Sequence, residues 1–210
     1  MKSHQRWIWE LPDWPSMVFD AQHIQTRLAA AKKSQGLILA KAEMIGLEGL
    51  QLHIHDSLTQ EALTTSAIEG EKLDPESVRS SVAKRLGLDA SGAPLREGQR
   101  NIEGLIDVLQ DATLNTESPL TLERLCHWHG ALFPTGFSGM HRIVVGSLRS
   151  MPMQIVSGAV GRTKVHYAAP PAQELAHQVK EFLTWFNQTQ PNSSANSMDG
   201  LVRAAISHLW

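Results

Sequence analysis

The sequence predicts a mainly α protein, a bundle of several helices that carries one β-hairpin. Three observations predict it. Apolar residues recur at three-and-four spacing through most of the chain as far as Leu132. The starts and stops of these runs are marked by Asp or Thr before them and Gly after them. A single stretch, Met153 to Tyr167, turns to extended-chain composition around a glycine-bearing loop. With 210 residues the chain can bury a substantial core in one domain or two small ones. Hydrophobic residues are 42% and charged residues 19%, an ordinary balance for a soluble globule. The net charge is −2 with no dense Lys/Arg block, which argues against a dedicated nucleic-acid or anionic-membrane surface.

The elements follow in order. Trp7-Ile8-Trp9-Glu10-Leu11-Pro12-Asp13-Trp14-Pro15 cannot be regular helix, because its prolines restrict their neighbours, and its tryptophans are expected to pack across a helical body. Asp20 is an N-cap for a helical stretch that reaches about Glu69. As one rod this would span roughly 70–75 Å against a globule of about 45 Å, so it must break. The expected break lies near Ser34-Gln35-Gly36, and Leu47, Leu50, Ile54 and Leu58 then face the core. Asp74 caps the next helix, Pro75 takes its first position, and Leu73 and Val78 form a staple. Val78, Val82 and Leu86 line its inner face and Gly87 ends it. After the loop Ala90-Ser91-Gly92-Ala93-Pro94 comes an amphipathic helix with Ile102, Leu105, Ile106 and Leu109 inward. Thr121 caps another, with Leu120 and Leu125 in staple positions, which Pro134-Thr135-Gly136 breaks after Leu132.

The predicted hairpin pairs Met153-Gln154-Ile155-Val156 with Val165-His166-Tyr167. Pro170-Pro171 opens a helix with Leu175, Val179, Phe182, Leu183 and Phe186 inward, and a polar loop covers Gln188 to Ser197. The last helix, from near Ser197, places Met198, Leu201, Val202, Ala205, Ile206 and Leu209 at the spacing of a well-buried helix. It reaches Trp210 without Gly, Pro or a polar C-cap, the pattern expected of a chain cut short.

Several features could carry chemistry. In Thr65-Ser66-Ala67-Ile68-Glu69-Gly70, a hydroxyl and a carboxylate four apart share one helix face, and Gly70 reads as the residue that closes the last turn. Glu69 then faces the negative end of the helix dipole, which opposes it by about 0.3–1 kcal/mol, with Lys72 nearby to offset this. It reads either as a solvated glutamate or as an anion held out to meet a cation. Cys126-His127-x-His129 and His53-x-His55 place side chains two apart on a helix, about 200° around, so neither pair shares a metal. The one cysteine excludes an internal disulfide and fits a reducing compartment. With neither a signal peptide nor an apolar run of membrane-spanning length, the expected location is cytoplasmic. Gly158-x-x-Gly161-Arg162 lacks the strand-loop-helix context of a phosphate cradle and reads as a hairpin turn.

Taken in chain order, Gly139-Met140-His141-Arg142, the hairpin with Pro170-Pro171, Trp185-Phe186-Asn187 and Ile206-Ser207-His208-Leu209-Trp210 resemble the Fic family. Thr65-x-x-x-Glu69-Gly70 is similar to that family's Ser/Thr-x-x-x-Glu-Gly/Asn inhibitory motif, and Trp7-Ile8-Trp9 with Trp14-Pro15 to the N-terminal helical domain of one subset. The resemblance implies a Fic-like bundle divided into a helical domain over 1–88, which includes the inhibitory helix, and an incomplete Fic core over 89–210. It implies transfer of AMP from ATP, with Mg²⁺, to a hydroxyl of a target protein. The hairpin would be a flap that registers the target as an added strand. Thr65, Glu69 and Gly70 would be inhibitory, with Glu69 pairing an arginine that binds the γ-phosphate. The chain departs from the pattern in one respect: the His-Pro-Phe-x-x-Gly-Asn-Gly-Arg loop, with its general-base histidine and phosphate-binding turn, does not occur in these 210 residues. The expectation is therefore an inactive portion of a self-inhibited adenylyltransferase whose catalytic residues lie beyond Trp210. Its partners would be the target protein and ATP, with a homo-oligomer left open. The alternative is a non-enzymatic helical interaction module, the hairpin serving as docking edge; a helical transcription regulator is disfavoured by the charge balance.

Overall fold

A computed structural model of the chain describes residues 6–44, 47–88, 100–138, 140–159, 162–191 and 198–210. It is mainly helical, with two small antiparallel hairpins. The helices are α1 (Ala21–Glu43), α2 (Leu47–Ile68), α3 (Pro75–Arg85), α4 (Arg100–Leu114), α5 (Leu122–Leu132), α6 (Leu175–Gln188) and α7 (Gly200–Leu209). The strands are β1 (Phe137–Ser138), β2 (His141–Arg142), β3 (Gln154–Ser157) and β4 (Lys164–Ala168), paired β1 with β2 and β3 with β4. The chain forms two compact units that interleave the division at 88/89 drawn from the sequence. One comprises residues 1–29, 120–122 and 147–210, the other 30–119 and 123–146.

The unit of 30–119 and 123–146 is held by α2, α3 and α4. Its core is Ala62, Val78, Val82, Ile102 and Ile106, with Leu58, Leu63, Leu73, Leu86, Leu105 and Leu109 packed against it. Asp74 caps α3 through the Ser77 amide at 2.9 Å, Pro75 stands at the first helical position, and the expected staple pair both reach this core. Asp111, near the end of α4, joins α4 to α5. It accepts from Arg124 Nε and Trp128 Nε1, both at 2.7 Å, and from Asn115 Nδ2 at 2.6 Å. The Arg124 guanidinium also lies 5.0 Å from the Trp128 ring centre and donates to the backbone carbonyls of Asp111, Ser118 and Asn115.

The unit of 1–29, 120–122 and 147–210 is built on aromatic packing. Phe182 of α6 stands 5.6 Å from both Phe186 and Trp210, and Trp14 stands 4.8 Å from Trp210. Trp14 Nε1 donates to Gln178 Oε1 at 2.9 Å, as a half-buried indole requires. Asn187 of α6 clasps the backbone of Leu120, donating to its carbonyl at 2.9 Å and accepting from its amide at 2.8 Å. Arg203 of α7 sits 3.7 Å from the Phe186 ring centre and donates to the Phe186 carbonyl at 2.8 Å, while burial lowers its pKa.

Several expectations are corrected. The break near Ser34-Gln35-Gly36 does not form: α1 runs unbroken from Ala21, capped by Asp20, to Glu43. Gly36 costs a helix only about 1 kcal/mol relative to Ala, too little to break it without a competing turn. The helix ends instead after Glu43, where Met44 N–H bonds back to Lys41 in a tightened turn. Ile54 is 40% exposed and does not face the core, and the side chains of Leu47 and Leu50 lie outside the described residues. A second hairpin, β1–β2, joins the expected one. The helix after Pro170-Pro171 begins only at Leu175, and the last helix begins at Gly200 under an Asp199 cap. On α7 Ile206 is buried, but Leu201 and Leu209 are 44% and 52% exposed, so it is not the well-buried helix its spacing suggests. The loop 90–94, together with Gly139, Val160, Gly161 and residues 192–197, lies outside the described residues.

Candidate inhibitory helix end and docking hairpin

The end of α2 is closed by a Schellman motif. Gly70 has φ +84°, its amide bonds to the Ala67 carbonyl at 3.1 Å, and the Glu71 amide bonds to the Ser66 carbonyl at 2.8 Å. These bonds satisfy carbonyls that the helix would otherwise leave open. Glu69 is thereby held as the residue between the last helical turn and the glycine, exposed to solvent. Among the described residues its carboxylate has no hydrogen-bond or ion-pair partner, and Lys72 does not reach it. Thr65 is also exposed, but its hydroxyl turns back toward the helix start and donates to Glu61 Oε1 at 3.2 Å. The hydroxyl and the Glu69 carboxylate share a face without sharing a hydrogen bond. The motif thus presents one unpaired anion at the end of a helix where the dipole is unfavourable.

The second site is the hairpin β3–β4. Gln154 pairs with Ala168, Ile155 with Tyr167, Val156 with Val165 and Ser157 with Lys164. The register steps between Ile155 and Val156, which leaves His166 as the extra residue of a bulge on β4. Its Nε2 lies 2.6 Å from Ser157 Oγ. Met153 falls just before β3, and its carbonyl accepts from the Ala169 amide at 3.0 Å, extending the ladder by one bond. Every residue of β3 is exposed, including Ile155 at 58% and Val156 at 49%, whereas Val165 and Tyr167 of β4 are half-buried. Burial raises the Tyr167 pKa, opposed in part by Arg149.

Two features could not be read from sequence. Trp9 Nε1 donates to the Ala168 carbonyl at 2.7 Å, and Trp7 packs edge-on against Tyr167 at 5.6 Å. No local pattern marks partners about 160 positions apart. The Asp111–Arg124–Trp128 cluster was likewise hidden, because an Asp and an Arg on different helices carry no register signal across the turn between them. A cavity of about 550 Å³ opens beside α6 and α7, with Val18, Trp185, Met198 and Trp210 in its walls. Among the described residues no group of three or more His, Cys, Asp or Glu is placed to hold a metal ion. No helix among those residues is long and apolar enough to cross a membrane.

Residues 7–88 match a family described as a domain of unknown function, DUF4172. The match begins at Trp7, which packs on the hairpin, and takes in the whole of α2 with Glu69 and Gly70. No curated protein matches the chain.

Proposed function

We propose that this chain is the regulatory and scaffold portion of a self-inhibited Fic protein adenylyltransferase, an enzyme that moves AMP from ATP to a hydroxyl of a target protein. The observation that carries the reading is Glu69, an unpaired, solvent-facing carboxylate fixed at the end of α2 by the Gly70 turn. A carboxylate in that position is suited to pair with a phosphate-binding arginine and to crowd a γ-phosphate out of its productive pose. The exposed strand β3 supports the second half of the reading, since unpaired backbone at a sheet edge can register an added strand of a target. ATP and Mg²⁺ enter through residues of the catalytic loop, which the 210 residues do not contain. In this reading the enzyme is cytoplasmic.

The test compares two proteins. The 210-residue chain with ATP and Mg²⁺ should transfer no AMP, and the native protein carrying the His-Pro-Phe loop should label its targets more strongly once Glu69→Gly is introduced. Weaker labelling by that variant would remove the inhibitory role from Glu69.

A non-enzymatic interaction module is the second reading, favoured by Leu37, Ile38 and Leu39, consecutive residues of α1 that are all more than half exposed. The mass of the intact native protein separates the two readings. A polypeptide with no catalytic loop in any part of it would favour the module.

A further inference from the structure

A cavity of about 450 Å³ lies between α3 and α4, within the unit of 30–119 and 123–146. Ser81, Lys84 and Arg85 line it from α3, and Glu103, Ile106 and Asp107 line it from α4. Each trio has the i, i+3, i+4 spacing of a single helix face, so two stripes wall the cavity. Its inner wall is Ser81 and Ile106, only 6% and 2% exposed. A helical serine can return its hydroxyl to the carbonyl four residues back, as Ser207 does to Arg203 at 2.8 Å. The buried Ser81 hydroxyl has no hydrogen-bond partner among the described residues. That is a cost which a bound polar group removes. The charged residues divide into two kinds. Arg85 is committed, forming an ion pair with Asp107 and donating from Nε to Gln110 Oε1 at 3.0 Å. Lys84 and Glu103 line the same cavity, yet their side chains pair neither with each other nor with any other described residue.

We propose that this cavity is a binding site for a free α-amino acid with a small polar side chain. The ligand carboxylate pairs with Lys84 and its ammonium with Glu103, and its side-chain hydroxyl or amide supplies the partner that Ser81 lacks. The charge balance selects a zwitterion, because the two cations and two carboxylates of the lining cancel. A lone anion such as phosphate would meet Glu103 and Asp107 as well as Lys84, and a lone metal cation would meet Lys84 and Arg85. A molecule with one charge of each sign meets neither penalty. Ile106 is the one apolar residue in the lining among the described residues, so a large apolar side chain finds little to bury against. The volume suits a ligand of this size. Such a site operates whether or not the chain is part of an adenylyltransferase.

The test is titration of the 210-residue chain with L-serine, L-asparagine and L-glutamine, read from the amide resonances of its NMR spectrum. At least one of the three should bind with a Kd on the order of 1 mM, shifting amides of α3 and α4 while those of α6 stay in place. For L-serine, ethanolamine lacks the carboxylate and β-hydroxypropanoate lacks the ammonium, and each should bind about tenfold more weakly. Lys84→Gln should weaken the amino acid about tenfold and leave ethanolamine unaffected. Glu103→Gln should do the same to the amino acid and leave β-hydroxypropanoate unaffected. Neither side chain has a partner in the fold to lose, so both variants remain folded. Ser81→Ala should cost the amino acid about fivefold, the net worth of one hydrogen bond. No saturable shift in α3 or α4 from any of the three at about 20 mM would overturn the proposal. So would tighter binding of inorganic phosphate or Mg²⁺, or amino-acid binding that Lys84→Gln and Glu103→Gln leave unchanged.

Discussion

At the scale of single residues, the end of α2 depends on one backbone angle. Gly70 holds φ +84° with nothing within 4 Å of where a Cβ would stand, so a side chain there meets no clash and only conformational strain. Gly70→Ala should lower the stability of its unit by about 1 kcal/mol, and Gly70→Asn by less, measured by urea denaturation followed by circular dichroism. Glu69 is a different case, because its charge opposes the dipole and makes no contact that stabilises the fold. Replacing it should leave stability nearly unchanged, so any change in activity would report on function. Asp111 gives the pH prediction. Hydrogen bonds from Arg124 first, then Asn115, lower its pKa from 3.8 to about 2. A carboxylate depressed by folding contributes stability that is complete above its ordinary value and lost as pH falls through its folded value. Acid titration of the unfolding midpoint should therefore fall between about pH 4 and pH 2, and Asp111→Asn should flatten that fall. Asp74, lowered by the Ser77 hydroxyl and amide, keeps part of the slope in the variant.

At the scale of elements, close approach matters more than periodicity. Gly104 lies on the buried side of α4, and a Cβ added there would run into the backbone carbonyl of Ala131 in α5. Gly104→Ala must push two helices apart, at a cost of about 3 kcal/mol, to be read as a drop in denaturation midpoint. Ile106→Ala, two residues further along α4 and in the core shared with α2 and α3, should cost about 2–5 kcal/mol by leaving a cavity. The caps and staples of α3 were legible because Asp74, Pro75, Leu73 and Val78 act within one turn of each other. The break between α1 and α2 was misplaced for the opposite reason. Gly36 reads locally as a weak point, yet the helix continues through it.

At the scale of the whole molecule, the chain order of elements differs from their grouping. The N-terminal tryptophans belong with the hairpin, α6 and α7, while α2, α3 and α4 form a separate core. Five of the six tryptophans, Trp7, Trp9, Trp14, Trp185 and Trp210, lie in the first of these units, and Trp128 lies in the other. Tryptophan emission therefore reports mainly on one unit and helical circular dichroism on both. Ile106→Ala should shift the dichroism midpoint more than the emission midpoint. Equal shifts would mean one cooperative transition.

The sequence alone determined the mainly helical class, the caps at Asp20 and Asp74, the glycine stops at Gly70 and Gly87, and a hairpin expected over Met153 to Tyr167 and formed by Gln154–Ser157 and Lys164–Ala168. These are local matters, decided by dihedral preferences and by partners within a few residues. The tertiary structure alone decided that Asp111 meets Arg124 and Trp128, that Gly104 admits α5, and that Trp9 caps Ala168. Each of those depends on which buried polar group or close backbone contact finds a partner far along the chain, and a burial pattern does not encode that choice. The hexapeptide at the end of α2 belongs to both levels. Its turn was legible from Gly70, whereas the exposed, unpaired state of Glu69 is a property of everything packed around it and of what is not.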